Sequence, residues 1–182
     1  MNEATQICAA TLAPSQSSIA DSIVRCGEAI AGLSKSAPEE CPAAPMIAEL
    51  RAHGLLQACV PVAEGGLGLA HEPADTGLLV HLLVEIGKAN LSAGRLLEGH
   101  VNALKLAALH GRGRTRETLL EMARGGALFG VWGADGPDPV RLIDDDPRLV
   151  SLSGQKLFAS GADTLDLAIV TARNAAGAKP TC

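Results

Sequence analysis

The side chains able to do chemistry are few and scattered. The histidines are His53, His71, His81, His100 and His110, and their spacing builds no HExxH zinc site, because Pro73 breaks any helix begun at His71-Glu72. His100 and His110 cannot grip one ion from one helical face, so they read as solvated or core histidines. Ser160 lies in Phe-Ala-Ser-Gly-Ala, not GxSxG, and reads as a residue that ends a strand through a side-chain bond to the backbone. Asp144-Asp145-Asp146 reads as an exposed turn, since three adjacent carboxylates repel one another unless hydrated or metal-bound. Gly65-Gly66-Leu67-Gly68-Leu69-Ala70 lacks the third glycine of a dinucleotide loop and has no βαβ unit around it, so it reads as a glycine turn between helices. Glu98 is a charge in an apolar helix. It either pairs with Arg95 on the wet face or marks the end of a cavity. Gly94 and Gly99 flank that stretch; each costs about 1 kcal/mol relative to alanine, which calls for close approach of another group.

These residues must be positioned by two kinds of element. Residues 1–14 are small and polar and read as a loose arm. Helical spacing of apolar residues predicts helices over 15–33, 46–52, 73–88, 92–110 and 115–123, with Asn90 or Ser92 as an N-cap. The proline-rich stretch 36–45 reads as a connector, with Pro45 opening the next helix. After Gly126 the pattern changes to short strands over 127–132, 141–143, 148–152, 155–159 and 167–172, separated by Gly, Pro and Asp. The order predicts an α+β chain: an α-helical bundle domain followed by a partial antiparallel β-barrel domain. The divisions are 1–45 (arm and first helix), 46–126 (helical domain) and 127–182 (β domain). No internal repeat is present. The last strand leaves open sheet edges that need covering, by another chain or by more of this one.

Composition narrows the function classes. The 182 residues are 47% hydrophobic and 19% charged, enough to bury a core. Aromatics are limited to Phe129, Trp132 and Phe158, and the net charge is -5, which together argue against a nucleic-acid surface. The odd set Cys8, Cys26, Cys41, Cys59 and Cys182 has no CxxC, so a disulfide framework or zinc knuckle is not expected and a reducing cytoplasm is. The first residues lack a basic region and apolar run, and no stretch reaches membrane-spanning length.

Four stretches in order resemble the acyl-CoA dehydrogenase family. They are residues 47–55 leading to Val60-Pro61-Val62-Ala63-Glu64-Gly65-Gly66-Leu67-Gly68; Ile86-Gly87-Lys88-Ala89-Asn90-Leu91-Ser92; Glu98-Gly99-His100 through Leu109-His110-Gly111; and 127–132 with Gly154-Gln155-Lys156-Leu157-Phe158-Ala159-Ser160-Gly161-Ala162. The likeness covers residues 46–173. It implies a flavoprotein with FAD that oxidises the Cα–Cβ bond of an acyl-CoA thioester, the cofactor carrying the chemistry. By the same resemblance, Phe129 and Val131 fall on the strand whose backbone meets the isoalloxazine. Phe158 falls where a Trp shields the flavin, and Ser160 where a hydroxyl contacts it. Leu97, Glu98 and His100 fall on the helix lining the acyl cavity.

The sequence departs from the family after Val131, where Thr-Glu-Pro-x-x-Gly-Ser becomes Trp132-Gly133-Ala134-Asp135-Gly136-Pro137-Asp138. Trp132 thus replaces a hydroxyl donor to the flavin. The family's carboxy-terminal bundle, with the catalytic glutamate, has no counterpart here, so no catalytic base is assigned. The expectation is an acyl-CoA dehydrogenase-like oxidoreductase, inactive as the 182-residue chain alone, acting as a homo-oligomer or with a completing chain. Two alternatives stand beside it: a non-catalytic interaction module derived from this fold, and a flavin-dependent monooxygenase of the same fold.

Overall fold

The computed structural model describes residues 16–36, 43–71, 76–146 and 149–174. Helices α1 (Gln16–Ser36), α2 (Ala43–Ala52), α3 (Leu55–Ala58), α4 (Thr76–Ala89), α5 (Leu91–His110) and α6 (Gly113–Arg124) precede the strands. The arm and Pro73 lie outside the described residues. The stretch predicted as a connector is shorter than expected, because α2 already begins at Ala43 and takes Pro45 into its first turn, where a missing N–H costs nothing.

Apolar burial decides the helical packing. Ile19, Ile23, Cys26 and Ile30 recur every three or four residues along α1 and are at most 1% exposed. That face packs on α4 and α2, so α1 shares one core with the elements after it. This burial outweighs the weak helix propensity of Gly27 and Gly32. Asn90 caps α5 by accepting from the Ala93 N–H at 3.0 Å, and its Nδ2 donates to Ser34 Oγ at 3.0 Å, tying the cap to α1. Gly94 meets the expectation of a close approach: a Cβ there would lie 2.8 Å from Gly87 Cα, so α4 and α5 cross backbone to backbone. The glycine turn also forms, after a 3-10 turn at Val62–Glu64; a Cβ on Gly66 would lie 2.1 Å from the Val60 carbonyl oxygen.

The sheet region departs from expectation. Strand β1 (Phe129–Trp132) pairs in parallel with β4 (Leu167–Val170), Phe129 opposite Leu167 and Trp132 opposite Val170. Strands β2 (Arg141–Asp146) and β3 (Leu149–Ser153) form the antiparallel hairpin. The described residues therefore hold two two-stranded sheets and no closed barrel. Residues 133–166 leave β1, fold back as the hairpin and return to run beside β1 in its own direction, and α5 packs against β1. Residues 155–159 are not a strand. Gly154 at φ 126° and Phe158 at φ 55° break the extended backbone, and Gln155 and Lys156 make isolated bridges to Pro139 and Asp135. Asp144–Asp146 belong to β2 and not to a turn, although the pairing is irregular between Ile143 and Asp146. A charged knot holds this region together: Lys156 Nζ donates to Asp135 at 2.6 Å and to Thr171 Oγ1 at 2.9 Å, and Arg173 joins Asp135 at 3.3 Å.

A candidate ligand groove between α5 and β1

Helix α5 has two working faces. Leu97, His100, Val101 and Leu104 are buried inward. Arg95, Gly99, Asn102, Leu106 and Leu109 recur at spacings of four and three and so share the outer face. With Lys105 and Val131 they line an open groove of about 420 Å³. At one end Arg95, Gly99 and Val131 continue into a narrow cleft with Gly130, Ser160 and Leu165. The α5 side carries two cations and an amide together with Leu106 and Leu109, and Val131 of β1 forms the facing wall.

Glu98 lies on the same helix between Arg95 and Asn102, its side chain 44% exposed. Its carboxylate accepts from Arg95 one turn before it and from Asn102 one turn after it. The pairing weighed from sequence is present, and it holds two polar groove residues at once. Leu97 is fully buried and belongs to the core. His100 is fully buried as well: its Nε2 lies 3.1 Å from the Leu56 carbonyl oxygen, and its Nδ1 accepts from the Phe129 N–H at 3.1 Å. Burial pushes its pKa down to about 4; the Leu56 carbonyl opposes that fall and the Arg51 charge adds to it.

The entry to β1 is tied at successive residues. Arg51 Nε donates to the Gly126 carbonyl at 2.8 Å, and its other arm pairs with Asp166 at 2.6 Å. Asp166 also accepts from the Leu128 N–H at 2.7 Å. Helix α2, strand β4 and helix α5 thus all hold the strand that forms one wall of the groove.

The residues that the resemblance assigns to a flavin are only partly together. Phe129 is 1% exposed beside His100, with ring centroids 5.8 Å apart. Val131 and Ser160 share the narrow cleft. Trp132 Nε1 donates to the Ser160 carbonyl at 3.3 Å, joining the strand to the loop after residue 157. Phe158 is 83% exposed in a left-handed conformation. Phe158 and Trp132 line neither the groove nor the narrow cleft, and the described residues do not enclose a site for a flat ring. Cys26 and Cys59 are buried thiols pushed up to about 12 by burial, with Glu49 adding to the rise at Cys26, and neither suits a nucleophile. No group of His, Cys, Asp and Glu among the described residues is placed to hold a metal ion, and no described helix is long and apolar enough to cross a membrane.

Sequence reasoning missed Asn102, Lys105, Leu106 and Leu109. The signal was there in the stripe from Arg95 to Leu109, whose polar start and apolar end differ from an ordinary wet face.

No protein-family model and no curated protein matches the chain. Solved structures do. KijD3 in complex with dTDP matches with a TM-score of 0.69 and 21% identity over 90% of this chain and 43% of that one. KijD3 in complex with FMN and dTDP-3-amino-2,3,6-trideoxy-4-keto-3-methyl-D-glucose matches at 0.68 and 22%, covering 90% and 42%. Nitrososynthase from Micromonospora carbonacea var. africana matches at 0.69 and 21%, covering 92% and 44%. The likeness is one of fold, the acyl-CoA dehydrogenase-like fold of these enzymes. The chain spans less than half the length of the structures it matches.

Proposed function

We propose that this chain is the helical and early sheet portion of a flavin-dependent monooxygenase-type oxidoreductase whose substrate carries a phosphate-bearing group into the α5–β1 groove. The observation that carries this reading is the chemistry of the groove wall. An acyl tail gains free energy by leaving water and would use Leu106, Leu109 and Val131, but Arg95, Asn102 and Lys105 offer it nothing. A diphosphate gains charge-assisted hydrogen bonds from the same three polar residues, and the apolar ones suit a sugar or base. The fold neighbours support the choice, because their bound molecules are FMN, dTDP and a dTDP-linked amino sugar.

Val131, Trp132, Phe158 and Ser160 would present one wall to the flavin, FMN in preference to FAD. A bound flavin would supply the redox chemistry of either an oxygenase or a dehydrogenase. This chain's own part is to hold the substrate's anionic end at Arg95 and Lys105, with Glu98 keeping Arg95 and Asn102 in place. The base that handles the substrate proton is left to whatever completes the fold. Oxidation of an acyl-CoA thioester on FAD is the competing reading; coenzyme A also carries a diphosphate, so it is the dTDP-bound fold neighbours, not the cations alone, that favour the first.

The test is equilibrium titration of the full chain with dTDP and with a short-chain acyl-CoA. The expected result is dTDP binding that weakens with salt and falls at least roughly tenfold in Arg95→Ala or Lys105→Ala, the size of one lost charge-assisted contact. Binding of acyl-CoA without dTDP would restore the dehydrogenase reading. Binding of neither would remove the groove as the site.

A further inference from the structure

A buried contact joins the inward face of α5 to β1, beneath the groove. We infer that His100 is a positioning residue for that groove: its ring pins the start of β1 to α5 and so sets where the Val131 wall stands against Arg95 and Asn102. The inference rests on reading the groove as the ligand site.

The partners leave the ring one usable form. The Leu56 carbonyl can only accept, so Nε2 must carry the hydrogen at 3.1 Å. The Phe129 amide can only donate, so Nδ1 must be bare at 3.1 Å. The other neutral tautomer fails at both ends, and the doubly protonated ring sets an N–H against an N–H at Phe129. Arg51 on α2 is the charge that bears on the ring, itself paired with Asp166. A second cation at His100 would therefore be opposed from that side as well.

The strand carries the effect onward. Phe129 and Val131 are two residues apart and share a face of β1. The first is anchored under α5; the second lines the groove above it. Between them the backbones run close, since a Cβ on Gly99 would lie 3.8 Å from Gly130 Cα. The Arg51–Asp166 tie holds Gly126 and Leu128 toward α2 and the residue before β4, a second anchor upstream of the His100 contact at Phe129.

The experiment compares wild type, His100→Asn and His100→Gln in the full chain. Three readouts are taken: amide hydrogen exchange at Phe129, the ring 15N signals of wild type, and dTDP titration. Asn puts a carbonyl oxygen where Nδ1 accepts and keeps the Phe129 bond. Gln can reach Leu56 but leaves Phe129 without an acceptor. Exchange at Phe129 is expected to stay near wild type in Asn and to speed at least roughly tenfold in Gln, with dTDP affinity falling in step in Gln alone. The wild-type ring is expected to be protonated at Nε2 and bare at Nδ1. A ring protonated at Nδ1, equal exchange in both variants, or faster exchange with unchanged affinity would each overturn the inference. Should Gln fail to fold, the wild-type tautomer and the rescue by Asn still decide it. Failure of wild type to bind dTDP would sink the functional reading, and the exchange and tautomer results would still decide whether His100 anchors β1.

Discussion

The helical block builds a closed core, although Val80, Leu91 and Leu109 stay exposed, and the sheet region builds little core of its own. Ile23, Ile30, Leu82, Ile86 and Leu97 are completely buried, whereas Leu152, Leu157 and Phe158 are 52%, 44% and 83% exposed. The helices close a core among themselves. The sheets have too few strands to do so, and Phe129 is buried because α5 covers it. The groove lies at this seam, so one of its walls is rigid by packing and the other is rigid only where it is tied to the first.

The contrast can be broken most directly at its extremes. Leu97→Ala is expected to cost about 2–5 kcal/mol in urea denaturation, and Leu152→Ala about 0.5 kcal/mol or less. Equal losses would erase the distinction. The seam itself is tested by pH. His100 is neutral when folded, with a pKa near 4 against an ordinary 6.5 when unfolded. Its contribution is present above pH 6.5 and is lost as pH falls through that value to about 4, where the loss reaches about 3 kcal/mol. His100→Asn should lack this component, so the difference between the two stability–pH curves is the measurement. Within the helices, Gly94→Ala should cost about 1–3 kcal/mol because its methyl meets Gly87, while Gly32→Ala, which meets nothing within 4 Å, should gain about 0.5–1 kcal/mol. The smallest effect belongs to the sheet region. Phe158→Gly removes the cost of a left-handed residue and should stabilise by up to about 1 kcal/mol. A loss of stability there would mean that Phe158 packs against something.

Much of the helical block was legible because its cause is local. Helical spacing, the Asn90 cap and the Gly111 stop all lie within a few residues of what they control, and the interior glycine at 94 correctly announced a close approach. The sheet was less legible. Alternation marks a strand and does not name its partner, so the parallel pairing of Phe129–Trp132 with Leu167–Val170 could not be read. The segment 155–159 looks extended by composition, and the left-handed Phe158 cancels that. Of the candidate site, Glu98 with Arg95 was readable at a spacing of three. The ties of Phe129 to His100 and of Arg51 to Asp166 were not, because they join residues far apart in the chain.

The side-by-side run of β1 and β4 also dictates an order of assembly. Helices α4 and α5 adjoin in the chain and can meet as soon as both exist, whereas β1 must wait until residues 133–166 have been laid out and folded back. Contacts that enclose so long a stretch form slowly. While that stretch is still being gathered in, Trp132 has no Ser160 carbonyl to meet and β1 lacks its β4 neighbour, so the groove takes its final shape last.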